Sequence, residues 1–344
     1  MAEPRALLVL ATSTGGVGRH VRSLAAGLAA RGAAVTVAGP AGTQDLFGFA
    51  SHETVEIGSR PSPLRDARAV LRLRRLSRTV DVVHAHGLRA GSLAAAAGLG
   101  RRAGQSARAQ PLIVTWHNEA SGPGGRLLQR YLARRTDITL AASAGLAGTA
   151  RVSGGRDVRL SPVAAPGLTA TGRDPGLGHP LVLAVGRLHP QKGYDTLLAA
   201  LPALGECAVA VAGDGPLRGE LAAAAPQVRW LGARADVADL LAAADVVVLP
   251  SWWEARSLTA QEALRAGRPL VATAVGGTPE LVQDGAVLVR PGDPVALGRA
   301  VRALLDDPVA ARALAARGRA VAAGWPDEQD TVQQVVAVYA ELIG

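Results

Sequence analysis

Two stretches of this chain, residues 6–38 and 181–212, run through the same succession: a short apolar segment, a polar loop with glycine, a helical pattern, and a second short apolar segment. In the first half the pattern predicts a strand Ala6–Thr12, a helix Gly18–Arg31 and a strand Ala34–Ala38. In the second it predicts a strand Leu181–Val185, a helix from Tyr194 to about Leu204 and a strand Ala208–Ala212. Even the exits agree, with VTVAGP near residue 35 and VAVAGDGP near residue 209. Continuous apolar runs alternating with helices are what strands buried on both faces of a parallel sheet require. The expected fold is therefore α/β, with two Rossmann-like domains facing across a cleft.

A chain of 344 residues exceeds one ordinary core. The stretch SPVAAPGLTATGRDPGLGHP, residues 161–180, is dense in Pro and Gly and reads as the linker. The expected first domain spans 1–170 and the second 171–326, with Trp325-Pro326 breaking the pattern before a last helix, Asp327 to Ile343.

The net charge of +9 admits nucleic acid, an anionic membrane or a phosphorylated substrate. Nucleic acid is set aside, because readers of it interleave basic groups with stacking rings and this chain is 3% aromatic. The single cysteine, Cys207, has no partner for an internal disulfide and reads as a buried small hydrophobe in a reducing compartment. No Cys/His spacing predicts a metal, no cofactor is expected, and no apolar run approaches the 18 or more residues that span a bilayer. The N-terminal stretch has no secretory pattern. The expected location is the cytoplasm, with a peripheral place on the inner face of the membrane as an option.

Ligands of open α/β sheets sit outside the C-terminal ends of the strands. The loop TSTGGVGRH, Thr12–His20, lies at such a point. Gly15, Gly16 and Gly18 suit either a phosphate approached by backbone N–H groups or a tight turn, and Arg19 is a candidate acceptor or sugar contact. DVVHAHG places His84 and His86 on one face of a strand, each either structural or, more so for His86, a substrate contact. TWHNE closes another strand, Leu112–Thr115, with His117. Of 37 basic residues one alone is lysine: Lys192, in VGRLHPQKGYD. With Arg187 it makes a cationic pair suited to a diphosphate, arginine as a planar fork and lysine as a movable point charge. Further on, Glu254 and Glu262 stand eight apart, either surface glutamates at a chance spacing or, for Glu262, a helix carboxylate that accepts both hydroxyls of a ribose. Ser257, Leu258 and Thr259 begin that helix and offer N–H groups to phosphate.

As an ordered set, GGVGRH, HAHG, VGRLHPQKGYDTLLAAL, AGDGP, VRWLG, ADVVVLPS, the E-x7-E pair and AVGGTPELV resemble the family 4 retaining glycosyltransferases of the GT-B fold, over nearly the whole chain. The resemblance implies transfer from a UDP- or GDP-linked sugar to a hydroxyl acceptor, with retention and without metal, by front-face attack. It implies that Arg187 and Lys192 bind the donor diphosphate, that Glu254 lies near the donor sugar and that Glu262 holds the ribose. It further implies that the Gly15-Gly16 loop closes over phosphate and acceptor, that His117 stands near the reacting carbon, that Trp230 to Arg234 flank the base and that the helix 327–344 packs back on the first domain. Where the family commonly has an aromatic and then glycine after the first glutamate, this chain has Ala255-Arg256-Ser257. Arg256 then either reads an anionic group or stacks outward on Trp252 or Trp253.

The acceptor is open to a lipid-linked or cell-envelope glycoconjugate precursor. Residues 63–81 read as a helix on which Arg65, Arg68, Arg72 and Arg75 form a basic stripe, with Leu64, Ala67 and Leu71 on another face. The stripe suits an anionic membrane or is a solvated face. Competing readings are a catalytically silent sugar-nucleotide binder and a sugar-nucleotide epimerase of the same fold. A nicotinamide oxidoreductase lacks its G-x-G-x-x-G spacing here.

Overall fold

A computed structural model describes residues 3–100, 110–120 and 122–344 of the chain. Met1, Ala2, 101–109 and Ser121, which fall within the expected first domain, lie outside the described residues. The chain divides into two compact units, Met1–Ala164 with Pro326–Gly344, and Ala165–Trp325.

In the first unit the strands are β1 (Arg5–Leu10), β2 (Ala34–Gly39), β3 (His52–Thr54), β4 (Val82–His86), β5 (Leu112–Trp116), β6 (Ile138–Ala141) and β7 (Val158–Leu160). They form one parallel sheet in the order β3-β2-β1-β4-β5-β6-β7. Every residue of β4 and β5 is buried, as a parallel sheet covered on both faces demands. One face packs Leu7, Val83, Val114 and Trp116 with Leu73 and Leu132. On the other, Leu8, Leu10 and Ile113 meet Val21, Leu24 and Leu28 of the helix Gly16–Ala29 and Val332, Val335 and Tyr339 of the helix Glu328–Ile343. Those two helices touch closely enough that a Cβ on Gly27 would lie 2.4 Å from Val332. Asp327 starts the last helix by accepting from Asp330 N, while Asp330 accepts from Asp327 N, a reciprocal cap.

In the second unit β8 (Leu181–Val185), β9 (Ala208–Ala212), β10 (Arg229–Gly232), β11 (Val246–Leu249), β12 (Leu270–Thr273) and β13 (Val287–Val289) form a parallel sheet in the order β10-β9-β8-β11-β12-β13. Two apolar layers cover it, one around Leu197, Val248 and Leu297, the other around Leu183, Leu240 and Leu264. Cys207 is half-buried rather than buried, and burial raises its thiol pKa.

The helix expected over 63–81 ends at Leu76 and gives way to a 3-10 turn, Ser77–Thr79. The hydroxyls of Ser77 and Thr79 donate to the carbonyls of Arg74 and Leu76, competing with the backbone for those acceptors.

Candidate functional site

Each sheet reverses its strand order once, between β1 and β4 in the first unit and between β8 and β11 in the second. Such reversals open a crevice at the strand ends.

In the second unit the loops after β8, β9, β11 and β12 approach one another through glycine. Gly193, at φ 65°, lies where a Cβ would be 2.0 Å from Pro250 O; Gly276, at φ 51°, where it would be 1.9 Å from Glu254 O. No L side chain fits either place. Backbone hydrogen bonds stitch the same loops, Trp252 N donating to Gln191 O at 2.8 Å and Gly277 N to Glu254 O at 2.9 Å. Gln191 Nε2 adds a bond to Trp253 O at 2.8 Å.

This framework holds Lys192 against Glu254. Lys192 Nζ donates to Glu254 Oε1 at 2.6 Å, and Ser251 Oγ donates to the same oxygen at 2.7 Å. The side chains are 19% and 8% exposed, so the pair is shielded yet reachable. Arg187, two residues past β8, is exposed. Ser257 Oγ caps the helix Leu258–Arg265 by accepting from Ala260 N at 3.2 Å. Thr259 Oγ1 donates to Val185 O at 3.1 Å, which fixes the first turn of that helix to the end of β8. Leu258, Thr259 and Glu262 are buried.

Arg256 sits elsewhere than on its neighbours. Its guanidinium lies 5.8 Å from the centre of the Trp325 ring, and that of Arg265 lies 5.9 Å from the same ring. The ring its guanidinium faces is thus Trp325, where the sequence suggested Trp252 or Trp253. Burial lowers the Arg256 pKa, Glu280 opposes the shift and Arg265 adds to it. Trp230 is half-buried and donates Nε1 to Ala225 O at 3.0 Å; Arg234 pairs with Asp236.

The first unit gathers histidines at its own reversal. His84 and His86 stack at 4.3 Å on β4, and His117 follows β5. His84 is fully buried and spanned by Thr115 Oγ1 at 2.7 Å and Tyr339 OH at 3.1 Å, so its role is to tie the sheet to the last helix. His86 Nδ1 lies 3.3 Å from His117 Nε2. His20, one turn inside the helix Gly16–Ala29, joins them edge-on, 5.4 Å from each ring. No spacing in the sequence singled out His20, and none predicted a group of three imidazoles near enough to hold one ion. Burial lowers the pKa of His20 to about 4 and of His84 to about 3, and holds His86 and His117 well below 6.5. All four are neutral at pH 7.

Gly15 caps the helix Gly16–Ala29, and a Cβ there would meet nothing within 4 Å; Arg19 is exposed on the first turn. Gly18 is accounted for by packing, since a Cβ would lie 2.1 Å from Phe47. On the helix Pro63–Leu76 the four arginines of the stripe, Arg65, Arg68, Arg72 and Arg75, are exposed, with Arg72 bonded to Glu53 at 2.5 Å. Ala69 and Leu73 face the core, leaving Leu64 and Leu71 exposed beside the arginines. Arg65, Arg68 and Arg72 line a groove of about 450 Å³ with Thr54, Val55 and Glu56. Among the described residues no helix is long and apolar enough to cross a membrane.

Residues 14–158 match the family model "Glycosyltransferase Family 4", and residues 179–307 match "Glycosyl transferases group 1". A glycogen synthase of Mycobacterium tuberculosis is 32% identical, with 89% of this chain and 86% of that protein covered. A D-inositol 3-phosphate glycosyltransferase of Salinispora tropica is 37% identical over 47% of this chain and 38% of that protein. The fold is shared with Anabaena Alr3699/HepE, solved with UDP and glucose, at a TM-score of 0.82, 20% identity, and coverage of 99% of this chain and 100% of that one. With the two parallel-sheet units and the motifs at their strand ends, these likenesses establish that the chain belongs to the family 4, group 1 glycosyltransferases of the GT-B fold.

Proposed function

We propose that the chain moves a sugar from a UDP- or GDP-linked donor to a hydroxyl acceptor, with retention at the anomeric carbon and no metal requirement. Residues 171–326 take the donor; residues 1–170 with 327–344 take the acceptor. The observation that carries this reading is the Lys192–Glu254 pair, fixed by left-handed glycines at the strand-order reversal of the second unit. A lysine ammonium has three donors, and one is spent on Glu254, which leaves two for phosphate oxygens. Arg187 supplies a planar fork beside it. Together they neutralise the charge that grows on the departing diphosphate. The N–H groups of Ser257, Leu258 and Thr259 add to that field, and Glu262 accepts from the ribose.

Glu254 lies near the donor sugar, and His117 faces the reacting carbon. Burial keeps that imidazole neutral, which suits a carbon that gains positive charge as the bond to phosphate breaks. His86, Arg19 and the Gly15-Gly16 loop contact acceptor or sugar. The reading is supported by the UDP and glucose in the Anabaena structure and by the sugar-transferring names of the relatives. A lipid-linked or cell-envelope acceptor is supported by Arg65, Arg68, Arg72 and Arg75 beside exposed Leu64 and Leu71, a face suited to the anionic inner surface of a membrane at about 1 kcal/mol per arginine.

The test is proton NMR of the product formed from α-linked UDP- and GDP-sugars. An α-linked product at an EDTA-insensitive rate is expected; a β-linked product overturns retention, and loss of rate in EDTA overturns metal independence.

A further inference from the structure

Four of the seven histidines of the chain meet at the ends of β1, β4 and β5, and three of them are spaced as ligands. The ring centres of His20, His86 and His117 form a near-equilateral triangle with edges of 5.4, 5.4 and 5.6 Å. One nitrogen of each lies within 4.8 Å of the others, and one pair is already at 3.3 Å. A tetrahedral ion with Zn–N bonds of about 2.0–2.1 Å spaces its nitrogens by about 3.3 Å and its imidazole centres by about 5.2 Å. Small ring rotations convert the one arrangement into the other. His86 is 2% exposed, the nitrogen it turns toward His117 is Nδ1, and its Nε2 has no hydrogen-bond partner among the described residues.

We propose that His20, His86 and His117 form a three-imidazole site for a first-row transition cation such as Zn²⁺. His117 is the one half-buried member, so a fourth ligand from solvent would reach the ion on its side. Nitrogen donors suit Zn²⁺, Co²⁺, Ni²⁺ and Cu²⁺, whereas Mg²⁺ and Ca²⁺ take oxygen. His84, held by Thr115 and Tyr339 and stacked on His86, steers that ring toward the other two. Because the ion occupies His117, it inhibits sugar transfer reversibly. That consequence rests on the proposed function; the binding does not.

The chelator-treated chain is titrated with CoCl2 alone, since tetrahedral Co²⁺ absorbs strongly in the visible and octahedral Co²⁺ does not. One equivalent with a tetrahedral spectrum, displaced by ZnCl2, is expected. His20→Ala should weaken binding at least about 100-fold, and His179→Ala, on the exposed histidine beside Asp245, should not change it. A weak octahedral spectrum in the wild type, or an unchanged tetrahedral one in folded His20→Ala, overturns the proposal. Should the alanine variant unfold, His20→Asn is read in its place. In the wild type, ZnCl2 should raise Tm where MgCl2 does not, and equal shifts overturn the site. Tetrahedral Co²⁺ with undiminished transfer leaves the site standing and removes His117 from the reaction.

Discussion

The two strand-order reversals are the same backbone device carrying opposite electrostatics. At the first, between β1 and β4, imidazoles crowd together and burial strips them of charge. At the second, between β8 and β11, an ammonium and a carboxylate are paired at 2.6 Å and remain within reach of solvent. The difference teaches that a strand end fixes where a group stands, while burial and partners decide what charge it carries there. A neutral pocket suits a sugar or hydroxyl, and a fixed cation suits a diphosphate.

The sharpest way to break that contrast is to remove the cation. Lys192→Ala should lower kcat by about 10²–10³, the size of losing one preorganised donor, and a variant within threefold of wild type contradicts the assignment. The loss also leaves the carboxylate of Glu254 without its ammonium, so kcat is read below the Tm of the variant.

Acid should then separate the two units. Unfolded histidines titrate near 6.5, while folded His20 and His84 titrate at about 4 and about 3. Below pH 6.5 the unfolded chain takes up protons that the folded one refuses. Stability of the first unit therefore falls with pH by about 1.4 kcal/mol per unit for each such histidine, levelling off only below the folded values. Trp116 is the single tryptophan of that unit, so urea unfolding in EDTA at pH 7 and pH 5 reads the first unit in a variant whose other four tryptophans are Phe, and the second unit in Trp116→Phe. An equal fall in both units would contradict the account.

A smaller effect contrasts two glycines. Gly193→Ala puts a methyl group 2.0 Å from Pro250 O at a left-handed φ and should cost about 1–3 kcal/mol. Gly15→Ala, with nothing within 4 Å but at the helix N-cap, should cost about 0.5–1 kcal/mol. A fall in activity without a fall in Tm for Gly15→Ala reports a ligand approaching that loop. Of similar size, Arg256→Ala should cost about 0.5–2 kcal/mol through its contact with Trp325. An equal fall in rate on neutral and anionic substrates excludes a recognition role for Arg256, and a selective loss on the anionic ones assigns one.

Much of the fold was legible. The elements Leu181–Val185, Tyr194–Leu204 and Ala208–Ala212 stand where the sequence places them, because uninterrupted apolar runs bounded by polar loops leave little choice of boundary. Elsewhere partners moved the ends. β1 begins at Arg5, whose backbone and side chain both bond Asp81, and the helix after it begins at Gly16 because Gly15 serves as cap. The candidate site was legible where a residue type is rare in composition, as for the lone lysine that the structure pairs with Glu254, and illegible where it is assembled from afar. His20 lies on a helix, and nothing in its spacing joins it to histidines on strands. Trp325 reaches Arg256 and Arg265 only through the packing of the second unit. The free leucines of the basic helix were hidden for a related reason: the core takes Ala69 and Leu73 instead.

The most direct test of the central claim, that the second unit binds a nucleoside diphosphate through Lys192, is a thermal-shift panel of UDP, GDP and ADP in EDTA on wild type and Lys192→Ala. At about 100 times Kd a ligand adds about 2.7 kcal/mol, several degrees for a chain of this size. The account predicts that one nucleotide gives this shift in the wild type and little in the variant. Equal shifts in both proteins, or none with any of the three, would contradict it.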